Sequence, residues 1–400
     1  MFIREVKARI IRNSRKEKSI EVFMQTYKGK FYASSPEGKS RGKNEVEPYN
    51  KRGINYTLKM LNAFFRLIKH RNFMIKDFFG LKEFETEIRK FENKYGRFGG
   101  DAVIALENCF LKAAAKENKK EVWKFIFDSF YKGKVKMPMP VGNCLGGGKH
   151  SRPVEGKKPD FQEFLLIPNE KSFSRAVTKN IHAYEHAKHL IKNKEKKWIL
   201  KRNDEGAWMT GLNNESALEL LKEIGKEYKL RIGIDIASSS FYKNGYYYYE
   251  NKKLIRDRVE QIDYIEYLIK KFGLFYIEDP LSEEDFAGFA QLSNLQKKAL
   301  IVGDDLTTTN LTRLRRAKIN AVIIKPNQIG SLLEVSKVVE YCKKENIKMI
   351  FSHRSGETID DVLADLCIGF QGDFIKCGIF GKERLIKLRR VMEIEKSLTR

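Results

Sequence analysis

The chain has few cysteines and no pattern that would pair them. Its 400 residues hold five, Cys109, Cys144, Cys342, Cys367 and Cys377. There is no CxxC pair and no zinc spacing, and the odd count suits reduced thiols of the cytosol and excludes a disulfide framework. Long apolar runs are missing too. No stretch approaches the ~18 consecutive apolar residues of a spanning helix, and Met1-Phe2-Ile3-Arg4-Glu5-Val6-Lys7 lacks the apolar core of a signal peptide. The expectation is a soluble, cytoplasmic protein with no membrane insertion. Acidic residues are short: 52 Asp+Glu stand against 77 Lys+Arg, a net charge of +25. Such a field draws in phosphate esters, nucleic acid or acidic surfaces. The basic residues are scattered, however, as in Lys116-Glu117-Asn118-Lys119-Lys120, in the manner of solvated helix faces. No internal repeat, low-complexity tract or RNA-binding motif is present.

What is there is a series of short apolar runs that stop on a polar or charged residue. Ala321-Val322-Ile323-Ile324 delivers Lys325 to a point where Pro326 ends the run. Similar runs end at Asp235, Glu278, Asp304, His353 and Lys376. Continuous apolar runs of this length fit strands buried on both faces of a parallel sheet. The six ends lie 43, 26, 21, 28 and 23 residues apart, against roughly 30 per strand-helix unit of an eight-fold barrel. In such a barrel the C-terminal strand ends converge, so three carboxylates, two lysines and a histidine are expected in one mouth.

Ahead of the barrel the pattern differs. Residues 3–32 alternate in strand fashion around a charged turn at Arg15-Lys16-Glu17-Lys18, which predicts a hairpin or small meander. Residues 34–43 are rich in turn formers and read as a mobile loop, a linker or a lid. Helical periodicity follows from Tyr56 to about Phe130. The segment 132–140, charged and carrying Pro138 and Pro140, marks a domain boundary. His182, His186 and His189 share one helical face and read as amphipathic packing rather than metal ligands.

The wording of the barrel segments resembles the enolase family. The resemblance is carried by Gly233-Ile234-Asp235-Ile236-Ala237-Ser238-Ser239, Ile277-Glu278-Asp279-Pro280, Gly303-Asp304-Asp305-Leu306-Thr307, Lys325-Pro326-Asn327-Gln328-Ile329-Gly330, Ser352-His353-Arg354-Ser355-Gly356-Glu357 and Ile375-Lys376-Cys377-Gly378. It is dense from about Met139 to Glu395 and thinner through Arg97-Phe98-Gly99-Gly100-Asp101-Ala102. It implies an α/β fold: an N-terminal α+β capping domain, residues 1–131 with a lid loop at 34–45, and an enolase-type (β/α)8 barrel, residues 137–400, carrying the site.

The implied activity is that of a carbon-oxygen lyase, a phosphopyruvate hydratase. It is the reversible Mg²⁺-dependent dehydration of 2-phosphoglycerate to phosphoenolpyruvate in glycolysis and gluconeogenesis. By the same likeness Asp235, Glu278 and Asp304 bind the first of two Mg²⁺ ions, and Ser40 on the lid reaches the second. Lys325 is the proton acceptor, with its pKa lowered by Lys376 and the metals. Glu205 is the proton donor beside Glu163, and must keep its proton near neutral pH. Substrate binding falls to Gln162, Glu163, His150, Lys325, His353, Lys376 and, at the phosphate, Arg354 and Ser355. A homodimer or higher homo-oligomer is expected.

The departures from the family pattern cluster in the moving parts. Where enolases usually read Ser-Gly-Ala-Ser-Thr-Gly this chain has Glu37-Gly38-Lys39-Ser40-Arg41-Gly42, and the usual Leu-Asn-Gly-Gly-Ser-His is Leu145-Gly146-Gly147-Gly148-Lys149-His150. Both loops gain charge. The family's Gly-Asp-Glu-Gly-Gly becomes Asn203-Asp204-Glu205-Gly206-Ala207. The alternatives are an impaired enolase-like protein that binds RNA or an acidic partner through its basic surface, and a related enzyme acting on a different acid.

Overall fold

The computed structural model describes residues 1–39, 41–195 and 200–399. The chain begins with an antiparallel meander of β1 (Glu5–Arg12), β2 (Lys18–Thr26) and β3 (Gly29–Ser34). Val22 and Met24 point into the core while Phe23 and Tyr32 form a cross-strand aromatic pair at 5.0 Å. Helices α1 (Ile54–Ile68), α2 (Leu81–Tyr95), α3 (Gly100–Glu117) and α4 (Val122–Phe130) cover it. Nearly every residue of α3 is buried, as expected of a helix enclosed on all sides. The aromatic rings of this part stack around it, Phe84 on Phe110 with centroids 3.7 Å apart.

After an irregular stretch, β4 (Met139–Gly146) opens the barrel, followed by β5 (Glu163–Ile167), the short β6 (Trp208–Met209) and β7 (Arg231–Asp235). A small outer sheet, β8 (Tyr242–Lys243), β9 (Tyr246–Tyr249) and β10 (Leu254–Arg256), is an excursion. Then come β11 (Tyr276–Glu278), β12 (Leu300–Gly303), β13 (Ala321–Ile324), β14 (Lys348–Ser352) and β15 (Phe374–Lys376). The order β4-β5-β7-β11-β12-β13-β14-β15 closes on itself through β15 and β4, and β6 joins the outer edge of β4. Strand β5 is antiparallel to both its neighbours and the other barrel pairings are parallel. The first two strands connect without a crossover α-helix between them, only a single 3-10 turn at Gly148–His150, so β5 can return antiparallel to β4.

Alternation explains why the strands read as unbroken apolar runs. In β13, Ala321 and Ile323 pack in a central cluster with Val141, Leu165, Tyr276, Val302 and Ile350, whereas Val322 and Ile324 face the surrounding helices. The two parts of the chain are joined at α3: Glu107 accepts the Leu332 N–H at 2.7 Å, and Asp101 accepts Asn327 Nδ2 at 2.8 Å. Gly330 has φ 65° and a Cβ there would lie 2.9 Å from the Gly100 Cα, so both the turn and the close approach to α3 require glycine.

Residues 34–39 and the three histidines sit in contrasting surroundings. The segment at the end of β3 is docked on the barrel: Ser34 and Ser35 are buried, and Glu37 exchanges backbone hydrogen bonds with Gly356 at 3.0 and 2.9 Å. Its polar composition reflects that it binds polar backbone at the mouth. On the helix Phe173–Lys194, hereafter α5, the packed stripe is Ala183, Tyr184, Ala187 and Ile191, while His182 and His189 are exposed and His186 meets Glu227 at 3.2 Å. All five cysteines are buried free thiols.

Candidate active site

Strand register builds the centre of the site. Glu163, Asp235 and Glu278 are direct partners across β5, β7 and β11. Asp304 lies one residue beyond β12. Side chains in register on adjacent strands stand about 5 Å apart, so the pairing alone gathers three carboxylates. Lys376, from β15, completes the group: its Nζ lies 3.0 Å from Asp235 Oδ2, 2.8 Å from Glu278 Oε2 and 3.0 Å from Glu163 Oε2. Burial works against the ammonium, but these carboxylates hold it well above its ordinary range.

Lys325, at the end of β13, is ion-paired with Asp304 Oδ2, and Asp304 Oδ1 accepts Gln328 Nε2 at 2.9 Å. The backbone that presents Asp304 is fixed by Asp279, whose two carboxylate oxygens accept the N–H groups of Asp304 and Asp305 at 2.9 and 2.8 Å. Asp279, Thr308 and Thr309 have φ of 43°, 47° and 54°. Left-handed backbone is costly for a β-branched residue and is held here by its surroundings. Thr309 Oγ1 accepts the Lys325 N–H at 2.9 Å and donates to Gln328 at 2.7 Å, which ties this strained loop to the lysine.

On the opposite side Glu205 and Glu163 share a hydrogen bond. His150 Nδ1 is 3.2 Å from Glu205, and His353 Nε2 is 3.9 Å from it. Burial and the Glu205 charge push Glu163 well above the carboxylate range, although Lys376 opposes this. Glu205 is equally buried, yet His150, the Glu163 hydrogen bond and His353 draw it well below that range. Burial depresses His353 well below its ordinary range, although the Glu205 charge opposes this.

Arg354 and Ser355 follow β14. The guanidinium is buried against Glu45, 2.8 Å from Oε2, and contacts Asn327 Oδ1 at 3.3 Å. Ser355 Oγ accepts the Lys39 N–H at 2.8 Å and Arg15 Nη1 at 2.9 Å. Behind them Glu357 accepts the Arg354 N–H at 3.1 Å and pairs with buried Lys387 at 2.7 Å. Of the residues expected at the site, Glu163, Glu205, His150, Gln162, Asp235, Asp304, Lys325, His353, Arg354, Ser355 and Lys376 line one cleft. Glu278 lies behind it, paired with Lys376. Ser40 is outside the described residues.

A family model, the enolase C-terminal TIM barrel domain, matches residues 134–400. The chain belongs to the enolase family. It is 36% identical to the enolase of Thermoplasma acidophilum over 412 residues and 35% identical to that of Picrophilus torridus over 409, each match covering 99% of both chains. With the enolase of Pyrobaculum aerophilum it shares 35% identity over 380 residues, 90% of this chain and 87% of the relative.

Two electrostatic relations in this enolase bear on proton transfer. Lys325 is held above its ordinary pKa: burial, Arg354 and Lys376 press it down, but contact with Asp304 outweighs them. Within the carboxyl pair burial raises Glu163, while Glu205, also buried, is drawn down by the His150 ring that faces it. Sequence reasoning quoted Asp279 and Arg15 inside motifs without giving them a task, and missed Glu45 and Lys387. Only adjacency to Glu278 and Asp304 could have pointed to Asp279.

The donor set fits a hard divalent cation. It is all oxygen, Glu278 Oε1 is buried without a hydrogen-bond partner, and burial with the charges of Asp235 and Asp304 pushes Glu278 up to about 8 despite Lys376. Such a carboxylate cluster is short of positive charge. Among the described residues the groups whose ligand atoms lie within 4.8 Å of one another are His150, Glu163 and Glu205, and Asp279, Asp304 and Asp305; the oxygens of Asp279 are spent on backbone N–H groups.

Proposed function

We propose that this site carries out the reversible dehydration of 2-phosphoglycerate to phosphoenolpyruvate with Mg²⁺, two ions per site, held first by Asp235, Glu278 and Asp304. The observation that carries this reading is the placement of Lys325 and Lys376 against those three carboxylates at one barrel mouth. When bound, the divalent cations supply positive charge that offsets the second negative charge gained as a proton leaves the carbon beside a carboxylate. A lysine base with divalent cations is a recognised arrangement of the enolase superfamily.

In this reading Arg354 and Ser355 hold the phosphate, the arginine through its forked donors. Lys376 stands by the substrate carboxylate, and Gln162, His150 and His353 wall the cleft. Lys325 would take the proton from C2 as the neutral amine, a form that requires Asp304 to be drawn away from stabilising its ammonium. The hydroxyl leaving C3 is protonated from the Glu163–Glu205 pair, Glu205 being the donor and Glu163 the member that stores the proton. Residues 1–131 serve as the cap, with the 34–45 loop and Ser40 as lid, and residues 137–400 as the catalytic barrel. A cytoplasmic homo-oligomer belongs to the same reading. No helix among the described residues is long and apolar enough to cross a membrane. Nothing in the site favours a role confined to binding RNA or an acidic partner.

The test is the rise in ultraviolet absorbance as purified protein converts 2-phosphoglycerate. Turnover that needs Mg²⁺ and stops with chelator is expected; a metal-loaded protein without turnover contradicts the reading.

A further inference from the structure

Lys39 stands where the family pattern has alanine, and its two ends touch two different loops. Its Nζ is 2.8 Å from Asp204 Oδ2. Its backbone N–H donates to Ser355 Oγ at 2.8 Å. Asp204 immediately precedes Glu205, and its own carbonyl is held by Arg384 Nη2 at 3.1 Å, a guanidinium that also reaches the Ser355 carbonyl at 3.1 Å. One lysine therefore links the 34–45 loop to the turn bearing Glu205 and to the loop bearing Ser355.

Ser355 shows what that link does. A hydroxyl has two lone pairs and one proton. Lys39 N–H and Arg15 Nη1 occupy the lone pairs, so the remaining O–H is left to donate, the role a phosphate ligand needs. The preceding residue, Gly38, fixes Arg354 in the same way: a Cβ at Gly38 would fall 1.9 Å from Arg354 Nη2, so the loop lies directly on the guanidinium. Withdrawal of the loop removes one donor from Ser355 and uncovers Arg354.

We propose that Lys39 and Asp204 form an ion-pair latch that positions residues 36–39 on Ser355 and Arg354 and so sets affinity for the phosphorylated substrate. The inference rests on the dehydration reading above. Both side chains are partly solvent-exposed, 43% and 35%, so the latch is weak and screened by salt. Lys39 and Asp204 are positioning residues; neither needs to touch the reacting atoms.

The discriminating variant is Asp204→Asn. Removing a negative charge near an anion site lowers KM if only the overall field matters; loss of a latch raises it. The expected result is a KM for 2-phosphoglycerate about threefold to fivefold higher in Asp204→Asn and in Lys39→Ala at low ionic strength, with kcat nearly unchanged. The reciprocal double variant Lys39→Asp with Asp204→Lys returns KM toward the parent value. A KM that is unchanged or lower in Asp204→Asn, or a reciprocal variant no better than the single ones, overturns the latch. Hydrogen exchange of the 35–45 amides separates this from failure of the enzymatic reading, since it needs no turnover. Faster exchange in both single variants is expected, and unchanged exchange overturns the latch even if the parent protein proves inactive.

Discussion

Lys376 Nζ lies 2.8 Å from Glu278 Oε2 with both groups buried, and the same ammonium reaches Asp235 and Glu163 at 3.0 Å. Lys376→Met therefore leaves buried carboxylates with less positive charge. Without metal the variant is expected to lose about 3–5 kcal/mol of stability, the cost of breaking a buried ion pair from one side. Added Mg²⁺ should narrow the deficit by supplying charge to the same carboxylates. Thermal unfolding with chelator and with Mg²⁺ gives both numbers.

A second buried pair lies behind the phosphate loop. Lys387 and Glu357 are 2.7 Å apart and almost completely enclosed, and Lys387 also donates to the carbonyls of Thr358 and Glu383 at 3.0 and 2.8 Å. Lys387→Met should cost about 3–5 kcal/mol in urea unfolding. Adding Glu357→Gln should recover part of that loss, because the orphaned charge goes with it.

The C-terminal helix caps α5. Glu395 accepts the N–H groups of Phe173 and Ser174 at 2.6 and 2.9 Å. Partial burial opposes its charge, but hydrogen bonds from Ser174, Phe173 and Ser172 hold the carboxyl below its ordinary range. A depressed folded-state pKa contributes stability that is present above the unfolded pKa and is lost as pH falls through the folded value. Glu395→Gln should thus be less stable by about 1 kcal/mol at neutral pH, and the difference should vanish in acid below the folded pKa. Paired melting curves across pH check the sign.

Much of the barrel was legible because a strand buried on both faces leaves an unbroken apolar run. The ends at Asp235, Glu278, Asp304, Lys325, His353 and Lys376 all come to one mouth. The reversal of β5 has no such signal, since a short apolar run such as Glu163–Ile167 does not show its direction. Lys387, one of many lysines on amphipathic helices, reads as solvated until packing places it beside Glu357. The titration of Lys325 and of the Glu163–Glu205 pair depended on which neighbour sat closest. Sequence names the groups at the mouth but not whether Asp304 or Lys376 wins at Lys325.

The central claim is that Lys325 removes the substrate proton, and Lys325→Ala tests it most directly. Mg²⁺ binding by calorimetry should be retained while turnover of 2-phosphoglycerate falls on the order of 10²–10⁴-fold, as expected when a general base is removed. Turnover that survives unchanged in Lys325→Ala with metal bound would contradict the account.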